Sequence, residues 1–446
     1  MLTIPRHTVP LNTHRVTAIC RGVLRAGPGA VVMAFVRLSM RLQMRSSAFL
    51  VVFLSCVSPA SAQLTTTTEG ISLNETLSGL TGLGAPEFLG AIGEGIGFAT
   101  ALEVATAPTG SSAGAFVFKP DPATGLLVRT ATTFGPSFAE RALTLGEGKV
   151  SVSANLAVAT YDKLNTVDLR QFQISRISGD VAGATVTGLA SLVMSSETVT
   201  IAGVIGAAEN LDILITVPMV KVKLDGISWV ELGDGVVAAR AEGGGIASGL
   251  GDVGVGAKFR FLKFGPDQPD PGGLAFLING RLPTGNRENF RGLGIARVLG
   301  SVLFSSGKGK LRPHANVGFE WWEKGVSVPS IPVGIAEARH QIQYAAGIEF
   351  EAGPKLTMLV DLLGRHILNG GRVEEQVFDV PPNEFLVTTL ETLVPTHKDI
   401  RKLTLAPGLK WNLKGSFVAS LNALIPLRDN GLHDKFTPVV GLDWTF

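Results

Sequence analysis

Lys435-Phe-Thr-Pro-Val-Val-Gly-Leu-Asp-Trp-Thr-Phe446 closes the chain. Phe436, Pro438, Val440, Leu442, Trp444 and Phe446 fall on one side of it. Lys435, Thr437, Gly441, Asp443 and Thr445 fall on the other, with Val439 the one apolar entry there. A period of two belongs to an extended strand with one apolar face, not to a helix. The segment before it repeats the pattern: Phe417, Ala419, Leu421, Ala423, Ile425 and Leu427 oppose Ser416, Ser420, Asn422 and Arg428. Further upstream, Leu311, Pro313, Ala315, Val317, Phe319 and Trp321 oppose Arg312, His314, Asn316, Gly318 and Glu320.

A soluble sandwich also alternates, but its strands average about 5–6 residues. Those here run longer, as a tilted bilayer crossing of about 9–11 residues requires. Aromatics such as Trp321, Phe350, Trp411, Trp444 and Phe446 sit near strand ends, where an interfacial girdle belongs. Composition agrees. The 446 residues are only 17% charged and include 54 glycines, and mean hydropathy is +0.31. The most apolar stretch, Ala48 to Val57, is too short to span as a helix. Hydropathy without spanning helices leaves strands with one face in lipid. A net charge of +2 argues against a nucleic-acid partner.

The expected strands are 148–161, 192–206, 210–223, 249–263, 272–284, 294–306, 310–322, 337–351, 355–368, 400–412, 415–428 and 434–446. The fold class is therefore all-β, a transmembrane antiparallel β-barrel of about 12 strands. Connections alternate between short turns and longer loops such as 162–191, 224–248 and 369–399. This is the asymmetry of a barrel with short periplasmic turns and longer external loops. The terminal Phe446, in phase with Leu442 and Trp444, resembles the C-terminal signal read by the barrel assembly machinery.

Residues 40–62 read as a cleavable signal peptide, with Arg41 and Arg45 before an apolar core and Ala60-Ser61-Ala62 as the cleavage site. Residues 1–39 precede it, which predicts a later translation start. Cleavage removes Cys20 and Cys56, leaving no thiolate for a disulfide or metal site. Residues 63–147 are weakly patterned and predict an irregular segment. It is a periplasmic extension, a plug in the lumen, or a disordered linker. A short hairpin is expected where Ala115-Phe-Val-Phe118 and Leu126-Leu-Val-Arg-Thr130 flank a Pro/Gly turn.

By parity, the barrel from 148 to 446 turns both signs of charge inward. Arg312, His314, Glu320, Gln341, Gln343, Asp361 and Arg365 form the expected polar network, with Glu320 and Arg365 bridged by the glutamines between them. At about 4.8 Å per strand those two lie roughly 10 Å apart. Leu359, Leu363, Ile367 and Leu424 point inward too and mark an expected apolar path. Catalysis finds little support: only His314 has acid and amide neighbours on the inner face, and His366 falls on the lipid face. The expected chain is not an enzyme and uses no cofactor and no metal.

Four motifs bear a family resemblance. They are Phe138-Ala-Glu-Arg-Ala-Leu-Thr-Leu-Gly146, Gly249-Leu-Gly-Asp-Val-Gly-Val-Gly-Ala-Lys-Phe-Arg-Phe261, Arg281-Leu-Pro-Thr-Gly-Asn-Arg-Glu-Asn-Phe-Arg-Gly292 and Pro313-His-Ala-Asn-Val-Gly-Phe-Glu-Trp321. With the closing segment, they resemble the outer-membrane family named for phenol meta-pathway degradation, over residues 136–446. That resemblance implies a transporter-like barrel, related in type to long-chain fatty-acid channels. The expected function is passive uptake of small hydrophobic or aromatic compounds across the bacterial outer membrane. Two alternatives stay open: a structural or adhesive surface barrel anchoring external loops, and an outer-membrane lipid hydrolase. The last needs a serine within reach of His366 or His314.

Overall fold

The computed structural model describes residues 71–446 except 84–89, 109, 112–115, 121–126, 130–132, 180–184, 234, 266–271, 308–309, 331–333, 380–386 and 397. One antiparallel sheet holds the main strands. They are β1 Val150–Tyr161, β2 Phe172–Gly179, β3 Thr185–Ala208, β4 Leu211–Leu232, β5 Val237–Leu250, β6 Gly254–Lys263, β7 Gly273–Arg281 and β8 Arg297–Ser305. After them come β9 Leu311–Trp322, β10 Gln341–Gly353, β11 Leu356–Ile367, β12 Val373–Asp379, β13 Val387–Pro395, β14 Ile400–Lys414, β15 Phe417–Pro426 and β16 Thr437–Thr445.

Twelve strands close into a barrel. Around the ring the order is β3, β1, β16, β15, β14, β11, β10, β9, β8, β7, β6 and β4, and β4 pairs back onto β3. Each of the twelve spans read from the alternation overlaps one of these strands, and four strands outrun their spans. The last seam is tied at Phe446, whose N–H donates to Val150 O at 2.8 Å while Val150 N–H donates to Phe446 O at 2.9 Å. Closure leaves no strand edge within the wall, which is what a β structure in lipid requires. The two parities divide as expected. Val317 and Leu421 are each 56% exposed on the outer face, whereas Lys258 and Asp361 on the inner face are 0% exposed. On the outer face, Gly364 leaves bare backbone under the ring of its cross-strand partner Tyr344. That contact is the known device of an aromatic covering a strand glycine.

Three spans expected as loops are largely strand. β3 and β4 run 24 and 22 residues and rise past the ring at the end away from Phe446, the long-loop end. Their ladder runs from Ala208↔Leu211 to Val186↔Leu232, with one register shift between Gly206 and Ala208. Their outer edges there would present unpaired N–H and C=O groups. β2 covers the edge of β3 and β5 covers the edge of β4, and β13 and β12 extend the sheet beyond β2. β5 and β6 follow the same edge of β4 and act as one strand broken at 251–253.

The N-terminal segment is not irregular throughout. Helix α1 spans Leu73–Thr81 and helix α2 spans Gly90–Thr106. α1 opens on a reciprocal capping box: Glu75 N–H donates to Ser72 Oγ at 3.1 Å, and Ser72 N–H donates to Glu75 Oε2 at 2.8 Å. α2 carries glycines at 90, 93, 95 and 97, each costing about 1 kcal/mol against alanine in a helix. It has no apolar stripe because neighbours surround it. Leu73, Leu77, Ile92, Ile96 and Leu102 of the helices join Phe290, Trp322 and Ile400 in one apolar core at the long-loop end. Tertiary burial, not propensity, makes α2. Neither helix is long and apolar enough to cross a membrane. The expected hairpin pairs Phe118–Pro120 with Leu127–Arg129.

Candidate functional site

The inner wall is the only large polar surface the strand parity leaves out of lipid, and residues 133–146 lie against it. The wall holds their main chain with side chains from five strands. Asp361 Oδ2 accepts Phe138 and Ala139 N–H at 3.0 and 3.2 Å. Asp212 Oδ1 accepts Leu145 N–H at 3.0 Å, Ser305 Oγ accepts Ala142 N–H at 3.1 Å, and Thr357 Oγ1 accepts Phe134 N–H at 3.2 Å. Asn316 bonds both Glu140 N–H and Glu140 O, at 2.6 and 2.7 Å. Lys410 Nζ donates to Pro136 O at 2.8 Å. Arg141 is buried in the same stretch, packed beneath Gly135.

The wall also caps α2. A helix C-terminus offers unsatisfied carbonyls and the negative end of the dipole, so cations belong there. α2 has no basic residue in its last turn. The barrel supplies three. Arg297 Nη2 donates to Ala105 O at 3.1 Å, Arg365 Nη1 to Thr106 O at 2.6 Å, and Lys402 Nζ to the Glu103 carboxylate. Arg365 Nη2 also pairs with Glu103 at 3.3 Å. Burial pushes the Glu103 carboxyl up, but the charges of Lys402 and Arg365 outweigh it and hold it below the ordinary range. Its stabilisation is therefore fully present above the ordinary carboxylate pKa of about 4.3. It is lost as pH falls through the lowered folded value. Hydrogen-exchange protection of α2 should be intact at neutral pH and fall below about pH 4. The Glu103→Gln variant should be less protected at neutral pH and lack the acid step. An acid step of unchanged size in that variant would assign it to another group.

Of the expected polar network, the structure joins Gln343 Nε2 to Glu320 Oε2 at 3.1 Å. It does not bridge Glu320 to Arg365, which turns to Glu103 instead. Glu320 Oε1 takes Arg297 Nη1 at 3.2 Å and Trp322 Nε1 at 2.8 Å. Arg297 reaches Asp252 Oδ2 as well, at 3.1 Å, so one guanidinium bridges two buried carboxylates. Gln341 is buried, and neither of its amide atoms has a hydrogen-bond partner among the described residues. Arg312 is buried on the inner face. His314 sits between acids, Nε2 on Asp361 at 2.7 Å and Nδ1 facing Glu349 at 3.6 Å. His366 Nε2 contacts Asp399 at 2.7 Å. Among the described residues neither imidazole bonds a serine, the contact a hydrolase needs. No group of three or more acidic, His or Cys side chains among them is arranged for a metal.

The four apolar residues do not form one track. Leu363 and Leu424 pack with Ala406, Val439 and Phe138 in mid-lumen, while Ile367 belongs to the core at the long-loop end. Leu359 is buried on the wall between the charged positions of its neighbours. Parity placed all four inward, but the filling segment separates them. Leu442, Trp444 and Phe446 lie on the outer side of the closing seam. Phe417 stacks on Trp444 at 5.4 Å, and Trp444 meets Phe446 at 4.5 Å.

Glu103 and Arg297 are the central residues absent from the expected network. Arg297 shares its parity with Leu299 and Leu303, which hides it. Glu103 is one of two acids, with Glu94, in a Gly-rich helix that carries no base. A cleft remains between the end of α2 and the wall, lined by Val104, Phe138, Pro218, Val220, Arg281 and Arg291 among others.

No protein-family model and no curated protein matches the chain. Among solved structures it is similar to an outer membrane channel from Pseudomonas putida F1, at TM-score 0.41 and 11% identity over 68% of this chain and 98% of that one. It is also similar to the NanC porin, at TM-score 0.32 and 9% identity over 61% and 98%. A third is the outer membrane protein OprD from Pseudomonas aeruginosa, at TM-score 0.26 and 9% identity over 66% and 94%.

Proposed function

We propose that the protein is an outer-membrane channel for passive uptake of small hydrophobic or aromatic compounds, with residues 71–147 filling and gating its lumen. The observation that carries this reading is how the filling is held. Across mid-lumen the wall grips residues 133–146 by side-chain bonds to the main chain, from Asp212, Asn316, Asp361 and Lys410. Water can take the place of each such partner, so each bond contributes only about 1–3 kcal/mol net. A segment held this way leaves or shifts only by uncovering apolar wall residues as well, Leu214, Leu277 and Leu303 under Ala142 and Leu145, and Val418 under Phe134. The wall it would expose is charged and mixed in sign, which suits passage of small solutes without a strong choice of ion. The motif resemblance of residues 136–446 to the phenol meta-pathway family supports hydrophobic or aromatic cargo. The same reading takes residues 40–62 as the export signal and Leu442, Trp444 and Phe446 as the segment presented to the barrel assembly machinery. Outer-membrane lipid is then the partner of the exposed face.

The apolar core that ties α1 and α2 to the long loops favours a second reading, in which the barrel anchors those loops at the cell surface. Solute flux separates the two. Proteoliposomes carrying the full chain should swell in small neutral solutes faster than empty liposomes. Swelling no faster than empty liposomes, by the full chain and by a chain lacking residues 71–136 alike, would favour the anchor and overturn the channel.

A further inference from the structure

The cleft beside α2 combines apolar walls with a cation that has no counter-charge among the described residues. Val104, Phe138, Pro218, Val220 and Val439 give it hydrocarbon, and Asp252, Arg281 and Arg291 give it charge. Asp252 is fully engaged within the protein. Its Oδ1 accepts Gly285 N–H at 3.1 Å, and its Oδ2 accepts Leu293 N–H at 3.2 Å and Arg297 Nη2 at 3.1 Å. No carboxylate among the described residues pairs with Arg291. Its Nε is buried without a hydrogen-bond partner. Burial alone pulls its guanidinium downward, with no acid acting in the opposite sense.

Arg291 is also seated there by the backbone. Gly249, at φ +152°, lies directly under the guanidinium: a Cβ at that position would come within 1.8 Å of Arg291 Nη1. A Cβ at Gly251 would meet Pro218, Val220 and the Arg291 carbonyl oxygen at 3.1–3.2 Å. Gly249 near the end of β5 and Gly251 in the break after it thus make the room in which Arg291 reaches the cleft.

A guanidinium drawn partly out of water favours an anion, and its planar fork matches a carboxylate in particular. Hydrocarbon walls favour a ligand whose remainder is apolar. A phosphate or a dicarboxylate would place uncompensated charge against Val104, Phe138 and Val220, at a cost in desolvation. We propose that this cleft binds small apolar monocarboxylates, with the carboxylate on Arg291 and the hydrocarbon against Phe138, Pro218 and Val220. The inference rests on the channel reading only for its consequence, that the bound acid is in transit.

The test uses the full-length protein in detergent, titrated with benzoate and with its neutral isostere benzamide, and followed by calorimetry. Benzoate should bind on the order of tenfold tighter, the equivalent of one charge-assisted hydrogen bond. Arg291→Gln should bring benzoate to the level of benzamide, and Arg291→Lys should keep part of the difference. Equal affinity of the two ligands for the intact protein would overturn the site, whether or not any variant folds. So would unchanged benzoate binding by a folded Arg291→Gln protein. Benzoate flux into proteoliposomes is then measured separately. Binding without flux upholds the site and removes the channel reading, whereas flux of neutral solutes without benzoate binding does the reverse.

Discussion

Deleting residues 71–136 should raise single-channel conductance on the order of tenfold or more over the full chain. The estimate follows from barrel size. A ring of eight strands is already filled by its own side chains, and a ring of twelve encloses more than they can fill. The difference here is made up by α2 and the segment that follows it. Arg297, Arg365 and Lys402 meet α2 at one end of the lumen, and Lys410 and Thr357 meet Phe134 and Pro136 toward the other. Removing the filling takes none of the barrel's ladders with it, because every wall strand pairs only with strands that lie after residue 149. The charged inner face then meets water, which solvates Lys410, Arg365 and Lys402 at little cost. The price falls at the long-loop end, where Trp322 and Ile400 lose their helical partners. The deleted protein should therefore melt at lower temperature yet still migrate as a folded barrel when unheated. Planar-bilayer recording checks the conductance. A folded deletion protein that conducts no more than the full chain would show that the segment does not obstruct the lumen.

Replacing Arg297 by methionine should cost about 3–5 kcal/mol of stability, the penalty for stripping a buried ion pair of one partner. The Arg297 side chain is 1% exposed, and those of Asp252 and Glu320 are 2% and 5% exposed. Their carboxylates would be left in the lumen with Arg281, whose charge already acts on both, as the cation nearby. The same change removes a cap from the end of α2, at Ala105 O. Arg297→Met combined with Asp252→Asn and Glu320→Gln should recover most of the loss, since neutral groups of the same shape need no counter-charge. Urea midpoints of the barrel refolded into liposomes make the comparison. A single variant within about 0.5 kcal/mol of the parent, the spread of ordinary surface substitutions, would mean that water already neutralises the triad.

Most of the wall was legible residue by residue. Phe436 to Phe446, Leu311 to Trp321 and Leu403 to Trp411 each declare two faces, because lipid and lumen select opposite chemistries at successive positions. The long-loop end was not. β2, β5, β12 and β13 were expected as loop, since nothing in their own composition reveals that β3 and β4 outrun the ring and need their edges covered. α1 had a readable start in Ser72-Leu-Asn-Glu75. α2 had none, because a helix enclosed on all sides shows no period and tolerates glycines a solvent-facing helix would avoid. In the lumen, parity placed Glu320, Gln343, His314, Asp361 and Arg365 on the correct face but did not pair them. Arg365 was expected beside Glu320 and instead holds Glu103, some 260 residues earlier in the chain.

By itself, then, the sequence determined the class of fold, the number of wall strands and the side on which each wall residue stands. Those follow from a period of two repeated in series, and strand pairing between neighbours needs no distant partner. Only the tertiary structure decided what fills the barrel and which charges meet. Arg297 with Asp252 and Glu320, Glu103 with Arg365 and Lys402, and Arg291 beside the bare backbone of Gly249 all join segments far apart in the chain. Their meeting depends on ring closure and on the path of residues 71–147 through it, which local periodicity does not encode.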